Sequence, residues 1–192
     1  MSTPDRRTLL ADTAIDLVAA TGLRGLTHRA VDAAAGLPAG STSYYFRTRT
    51  ALIGACYQRL AELDLGDFDG DGPPPAPERD AVAAAIAALL YRWLTTGRAR
   101  QLARFELSLE AARRPELGPE LHRAGLGARA RAAALLAGLG AARPEESAEL
   151  LVGWTDGLLY DRLAGALAHS RPAPDLAELT GVARRMVDAA LA

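Results

Sequence analysis

Apolar residues recur along this chain at intervals of three and four. Leu10, Ala14, Leu17 and Val18 follow helical spacing and predict a first helix, capped by Thr3, with Pro4 in its first turn and Gly22 at its end. Thr27 caps a second, short helix through Ala35, ended by Gly36. Pro38-Ala39-Gly40 interrupts the chain, and Ser41 caps a third helix of little more than one turn, through Phe46. A fourth runs from about Thr48 to Leu65, with Leu52, Cys56, Leu60 and Leu63 along one side.

Residues 66–77, GDFDGDGPPPAP, are aperiodic, acidic and rich in Gly and Pro, and read as a loop. Longer helices follow. Glu78–Thr96 carries Val82, Ile86, Leu89, Leu90 and Trp93 on one face, and Arg98–Arg113 is stopped by Pro115. Glu120–Leu139, Pro144–His169 and Asp175–Leu191 complete the set, the last with a broad stripe from Leu176 through Leu179, Val182, Ala183, Met186, Val187 and Ala190. No alternating β-branched run occurs, so the expected class is all-α, with about nine helices and no internal repeat.

Composition narrows the function classes. The chain has 192 residues, 49% of them hydrophobic, enough for one larger domain or a small one joined to a larger. Net charge is −1, so no whole-chain field attracts nucleic acid. Yet residues 1–50 hold six arginines against four aspartates, a slightly basic head on an acidic remainder. Lysine is absent, which fits a composition bias of the genome. A single cysteine, Cys56, excludes an internal disulfide. The N-terminus lacks a signal-like apolar core, and no apolar run approaches the ~18 residues of a membrane span. A soluble cytoplasmic protein without a membrane partner is expected.

The stretch GLPAGSTSYYFRTRTAL, 36–52, packs three of the chain's ten aromatics beside arginines. Two short helices joined at Gly36 and preceded by a supporting helix make a helix-turn-helix. Gly36 lets the chain reverse, and Ala30, Val31, Ala34 and Ala35 are small enough for close packing. The third helix then presents its N-terminus outward, toward a DNA major groove. Ser41, Thr42 and Ser43 are short donors for base edges, while tyrosines and arginines can reach phosphates.

From Thr27 through AVDAAAGLPAGSTSYYF to Arg49 and Leu52, the sequence resembles the TetR family of transcriptional repressors. The resemblance is close over about the first 65 residues. It implies a three-helix DNA-binding domain, 1–47, and a helical ligand-binding and dimerisation domain, 48–192, with the helix at 48–65 as connector. It implies that Thr27, His28, Arg29, Pro38, Ala39, Ser41, Ser43, Tyr44, Tyr45 and Arg49 face DNA. Thr27 matches a phosphate-binding Thr, Tyr44 an aromatic phosphate contact and Phe46 a buried aromatic. Tyr45 replaces the usual His, Arg49 the usual Lys, and Thr42-Ser43 the common Leu-Tyr pair. The implied partners are a palindromic double-stranded DNA operator, a small, largely hydrophobic effector that releases it, and a second copy of the chain.

In the body, Glu106 interrupts an apolar stripe of Leu102, Phe105 and Leu109, so it requires a partner: Arg104, His122, a ligand or water. Trp93, Phe105, Glu106, His122 and Trp154 are candidate pocket walls. Leu151, Trp154, Leu158 and Leu159, with Leu179 and Met186, form the expected dimer interface; Gly153, Gly157 and Gly165 would permit close helix approach. Asp67, Asp69, Asp71, Gly72 and Glu78 have calcium-loop spacing, but Pro73, Pro74 and Pro75 deny the loop its bend and its donors. No phosphate-binding Gly-rich strand–helix motif, GxSxG or HExxH occurs, so neither an enzyme nor a metal or cofactor site is expected. A helical interaction protein without DNA binding is the competing reading, opposed by the intact Thr27, Tyr44 and Arg49.

Overall fold

The computed structural model describes residues 5–67 and 78–192, and among these the chain is helical with no strand. The helices are α1 (Arg6–Gly25), α2 (His28–Ala34), α3 (Ser41–Tyr45), α4 (Arg49–Gly66), α5 (Arg79–Leu94), α6 (Arg98–Arg113), α7 (Gly118–Gly138), α8 (Pro144–Ala164) and α9 (Leu176–Leu191), with a 3-10 turn at Pro115–Leu117. The proposed Thr3 cap and most of the calcium-like loop lie outside the described residues. Gly22, at φ 71° and ψ 176°, breaks the helical path of α1, so the helix proper stops where the sequence places its end, with one more turn to Gly25.

Two compact units are present. One comprises Met1–Leu63 and Ala99–Ala124; the other comprises Asp64–Arg98 and Gly125–Ala192. The first has a continuous core. Leu10, Ala14, Ile15 and Val18 of α1 meet Val31, Phe46, then Leu52, Ile53, Cys56, Tyr57 and Leu60 of α4, and Ala103, Leu107 and Ala111 of α6. The Tyr57 hydroxyl donates to the Leu107 carbonyl at 2.6 Å, and burial pushes the Tyr57 pKa up to about 12. Arg59 pairs with Asp12 at 2.7 Å, tying α4 to α1. The packing therefore does not divide at 47/48. Three small helices offer too little apolar surface to close a core, and α4 and α6 supply the missing side.

The second unit is built on long, alanine-rich helices. Val82, Ala83, Ile86, Ala87 and Leu90 of α5 are buried, as are Leu179, Ala183, Met186, Val187 and Ala190 of α9, and these two helices pack together. α8 packs on both. Asp175 caps α9 by accepting from the Glu178 N–H at 2.8 Å, and Glu178 also pairs with Arg162 of α8. α8 stops at Gly165, short of the expected His169; a Cβ on that glycine would stand 2.6 Å from the Asp161 carbonyl oxygen. Gly165 is thus a terminator, not the close-approach glycine the sequence indicates.

Candidate nucleic-acid interface

α3 has five residues, too few to be helical unaided. Its N-cap position is Gly40, left-handed at φ 93°, which has no side chain to cap with. The cap comes instead from α2. Asp32, 3% exposed, accepts from the Gly40 N–H at 2.8 Å, the Thr42 N–H at 2.7 Å and the Thr42 hydroxyl at 2.5 Å. Burial would by itself raise the Asp32 pKa. The Thr42 hydroxyl and amide, the Gly40 amide and neighbouring His28 outweigh it and hold the carboxyl below its ordinary value. Gly36, at φ 65°, makes the reversal between the helices. Sequence reasoning passes over Asp32 and reads Thr42 as a donor for base edges, whereas Thr42 is buried on the carboxylate. The available signal was an acid in the otherwise apolar AVDAAAGL, ten residues before a threonine.

Around this lock the expected contact residues separate into two groups. Thr27, Arg29, Pro38, Ala39, Ser43 and Tyr44 are exposed, Tyr44 at 81%. The Thr27 hydroxyl oxygen caps α2 by accepting from the Ala30 N–H at 3.1 Å and keeps its own proton to donate. Ser41 and Tyr45 are partly exposed; the Ser41 hydroxyl donates to the Pro38 carbonyl at 2.6 Å, and the Tyr45 ring meets Tyr44 edge-on at 5.1 Å. Phe46 is buried, as the resemblance implies, with the Arg7 guanidinium 5.0 Å over its ring.

The second group turns inward. The His28 imidazole hydrogen-bonds the Phe46 carbonyl at 2.7 Å and joins the start of α2 to the end of α3. Arg49 donates to the Leu23 carbonyl at 2.7 Å, reaches the Leu26 carbonyl at 3.5 Å and pairs with Glu110 of α6 at 3.5 Å. A guanidinium engaged on three sides is a clamp on the α1–α2 corner; Arg49, read as a phosphate contact, and His28, read as a DNA contact, both make internal bonds in this structure.

Comparison with known proteins agrees with this architecture. The family model described as "Tetracyclin repressor-like, C-terminal domain" matches residues 77–192. The chain belongs to the TetR family. The match falls on the part of the chain that the head resemblance does not cover, so both ends lead to one family. No curated protein matches. Among solved structures, the multidrug binding protein EbrR in complex with ethidium is 30% identical, with a TM-score of 0.71, over 95% of this chain and 98% of that one. The same protein with malachite green gives 32% identity and 0.67 over the same shares. A TetR family member from Streptomyces coelicolor A3 is 29% identical, with a TM-score of 0.70, over 95% and 98%.

For this TetR family chain, the candidate pocket residues are not gathered in one compact unit. Trp93 and Trp154 belong to one; Phe105, Glu106 and His122 belong to the other. Trp93 is buried and its indole N–H donates to Asp67 at 2.7 Å. Asp67 also accepts from Arg92 at 3.0 Å, so the first would-be calcium ligand is already engaged. His122 is exposed. Phe105 lies under the Arg104 guanidinium, 4.6 Å from ring centroid to carbon. Glu106 takes neither Arg104 nor His122 as its partner: it faces Gly22 and accepts from the Leu23 N–H at 3.4 Å. It thereby lines a cleft of about 350 Å³ with Thr21, Leu23, Arg24, Leu109 and Arg113.

The expected dimer residues also divide. Leu151, Leu159, Leu179 and Met186 are buried in the chain's own core, and Leu158 is partly buried. Periodicity marks them as covered without saying by what. The uncovered apolar strip of α8 keeps Trp154 of that set, at 38% exposure, and adds Leu150 at 51%, with Gly153 and Gly157 between and beside them. A Cβ at either glycine would meet nothing within 4 Å. Among the described residues no helix is long and apolar enough to cross a membrane.

Proposed function

We propose that this TetR family transcriptional regulator is a homodimeric repressor that leaves a palindromic operator when a small, largely apolar effector binds. The observation that carries the DNA-binding part is the exposed set Thr27, Arg29, Ser43 and Tyr44 on two short helices locked by a buried carboxylate. Side chains held fixed and left uncovered are suited to phosphates and base edges. A second copy is supported by α8. Two glycines cost its helix roughly 1 kcal/mol each relative to alanine. Among the described residues nothing occupies the space they leave, and Leu150 and Trp154 flank it. Two-fold protein symmetry calls for two-fold DNA.

The effector reading draws on the relatives, in which EbrR is complexed with ethidium and malachite green. Aromatic dye cations of that kind are the first class to try here. Binding must favour the state that does not hold DNA, or it releases nothing. The test is footprinting on DNA flanking the chain's own gene, with and without malachite green at a concentration that raises the melting temperature of the protein and leaves that of the duplex unchanged. The proposal expects a footprint with a dyad that malachite green, or another dye that stabilises the protein without stabilising the duplex, erases. An asymmetric footprint would refute the symmetric docking. Dyes that stabilise the protein and leave the footprint intact would refute the release mechanism.

A further inference from the structure

A negative charge inside a DNA-facing element works against binding a polyanion, and burying it is costly unless it is fully hydrogen-bonded. Asp32 meets both conditions: it sits in α2, almost wholly buried. Its carboxylate bonds to Gly40 and Thr42, the two residues that bracket the start of α3.

The geometry of that segment explains the arrangement. α3 begins after a left-handed glycine and has no side-chain cap of its own. Free N–H groups at a helix start need an acceptor, and a carboxylate there also meets the favourable end of the helix dipole. Asp32 supplies both from a neighbouring helix. One oxygen takes the Thr42 amide and hydroxyl together, and the other takes the Gly40 amide. Two oxygens fixed to two points of one short turn hold it against tilt as well as rotation about its axis. Thr42, 0% exposed, is wholly engaged in this bond, which leaves its neighbours Ser41, Ser43 and Tyr44 on the uncovered side.

We propose that Asp32 is the positioning residue of α3, and that the sequence selectivity of this regulator depends on its carboxylate rather than on the stability of the head alone. The proposal rests on the DNA-binding reading of the head. Asp32 touches no DNA; it sets the angle at which Ser41, Ser43 and Tyr44 are presented. Asparagine cannot substitute, because its amide NH2 would face the Gly40 or Thr42 N–H, donor against donor.

The test uses the full chain and a duplex selected from random-sequence DNA by the wild type, with a scrambled duplex as reference. For Asp32→Asn, with helical circular dichroism retained, the selected-over-scrambled affinity ratio is expected to fall roughly tenfold while scrambled affinity holds. Asp32→Ala with Thr42→Val removes the carboxylate and the hydroxyl but leaves the amides of residues 40 and 42 without their acceptor, so whatever melting temperature it recovers over Asp32→Ala, the ratio is expected to stay low. An unchanged ratio in folded Asp32→Asn would overturn the proposal, as would a ratio that returns with melting temperature in the double variant. Hydrogen exchange supplies an arm independent of DNA. Amides at 40–46 are expected to exchange roughly tenfold faster in Asp32→Asn, with those of α5 unchanged; equal rates would overturn the positioning role. A wild type that selects no duplex would defeat the DNA-binding reading, and the exchange result would then decide Asp32 by itself.

Discussion

The α2–α3 corner of one unit and the long helices of the other are held by different kinds of interaction. Around α2 and α3 the decisive interactions are directed polar bonds: Asp32 to Gly40 and Thr42, His28 to Phe46, and Arg49 to Leu23 and Glu110. In the unit built on α5, α8 and α9 they are stripes of Ala, Val and Leu on helices of 16 to 21 residues. The contrast follows from length. A five-residue helix buries too little to be fixed by area and needs bonds that specify its angle. A helix of sixteen residues is fixed by its buried face, and no single polar bond is decisive. A chain that reads DNA as proposed gains from this division, because a short helix tied at a few points can be precise while presenting most of its surface.

That comparison can be broken from either side. The largest effect is expected in the stripe-packed unit: Leu179→Ala, at a position with 0% exposure, should cost about 3 kcal/mol by leaving a cavity. Thermal or urea melting measures it, and a cost under about 1 kcal/mol would mean that α9 is not core.

A smaller effect is expected at Arg49. Arg49→Met removes one of two donors from the Leu23 carbonyl, which keeps the Leu26 N–H at 3.3 Å, and should cost about 1 kcal/mol, most of it from that bond, since the partly exposed pair with Glu110 contributes little. The salt dependence of DNA binding should stay near that of the wild type. Arg29→Ala should instead flatten that slope by roughly one unit for each phosphate the arginine no longer neutralises. The opposite pattern would return Arg49 to the phosphates.

Acid sharpens the picture of the lock. The Asp32 pKa is held below its ordinary value, so its carboxylate contributes stability above the unfolded value of about 4. That contribution is lost as pH falls through the lower folded value. Wild type should therefore lose more stability than Asp32→Asn on titration below about pH 4; parallel curves would contradict it. The smallest effect is expected at Gly157→Ala. A single chain has room for the methyl and gains up to about 1 kcal/mol of helix propensity. A close partner on that face would be pushed away, so dimer dissociation at high dilution should rise, as sedimentation can measure. A tighter dimer would remove Gly157 from the interface.

The same contrast decides what is legible in the sequence. Helices long enough to show a stripe can be read, from Leu10–Val18 in α1 to Leu179–Ala190 in α9, and the class follows from them, whereas the family comes from the resemblance at Thr27–Leu52. Their partners cannot be read, because spacing records that a face is covered and not what covers it. Leu159, Leu179 and Met186 therefore read as a dimer face, although packing among α5, α8 and α9 of the same chain accounts for their burial. In the head the punctuation is legible: Thr27 as a cap, Gly36 as the reversal, Phe46 as core. The polar lock is not, since Asp32 and Thr42 are ten residues apart and their meeting depends on the turn between them. The direction of Arg49 is illegible for a related reason: an arginine beside a short helix has the same sequence signature whether it reaches outward or, as here, back to Leu23.

The central claim is that DNA is read by the exposed residues of α2 and α3 while the bonds beneath them stay in place. Amide hydrogen exchange, recorded with and without a selected duplex, tests it most directly. Protection should increase at Thr27–Arg29 and Ser41–Tyr45, with the amides of Leu179–Ala190 in α9 unaffected. Protection gained in α9 with none in α2 and α3 would contradict the account.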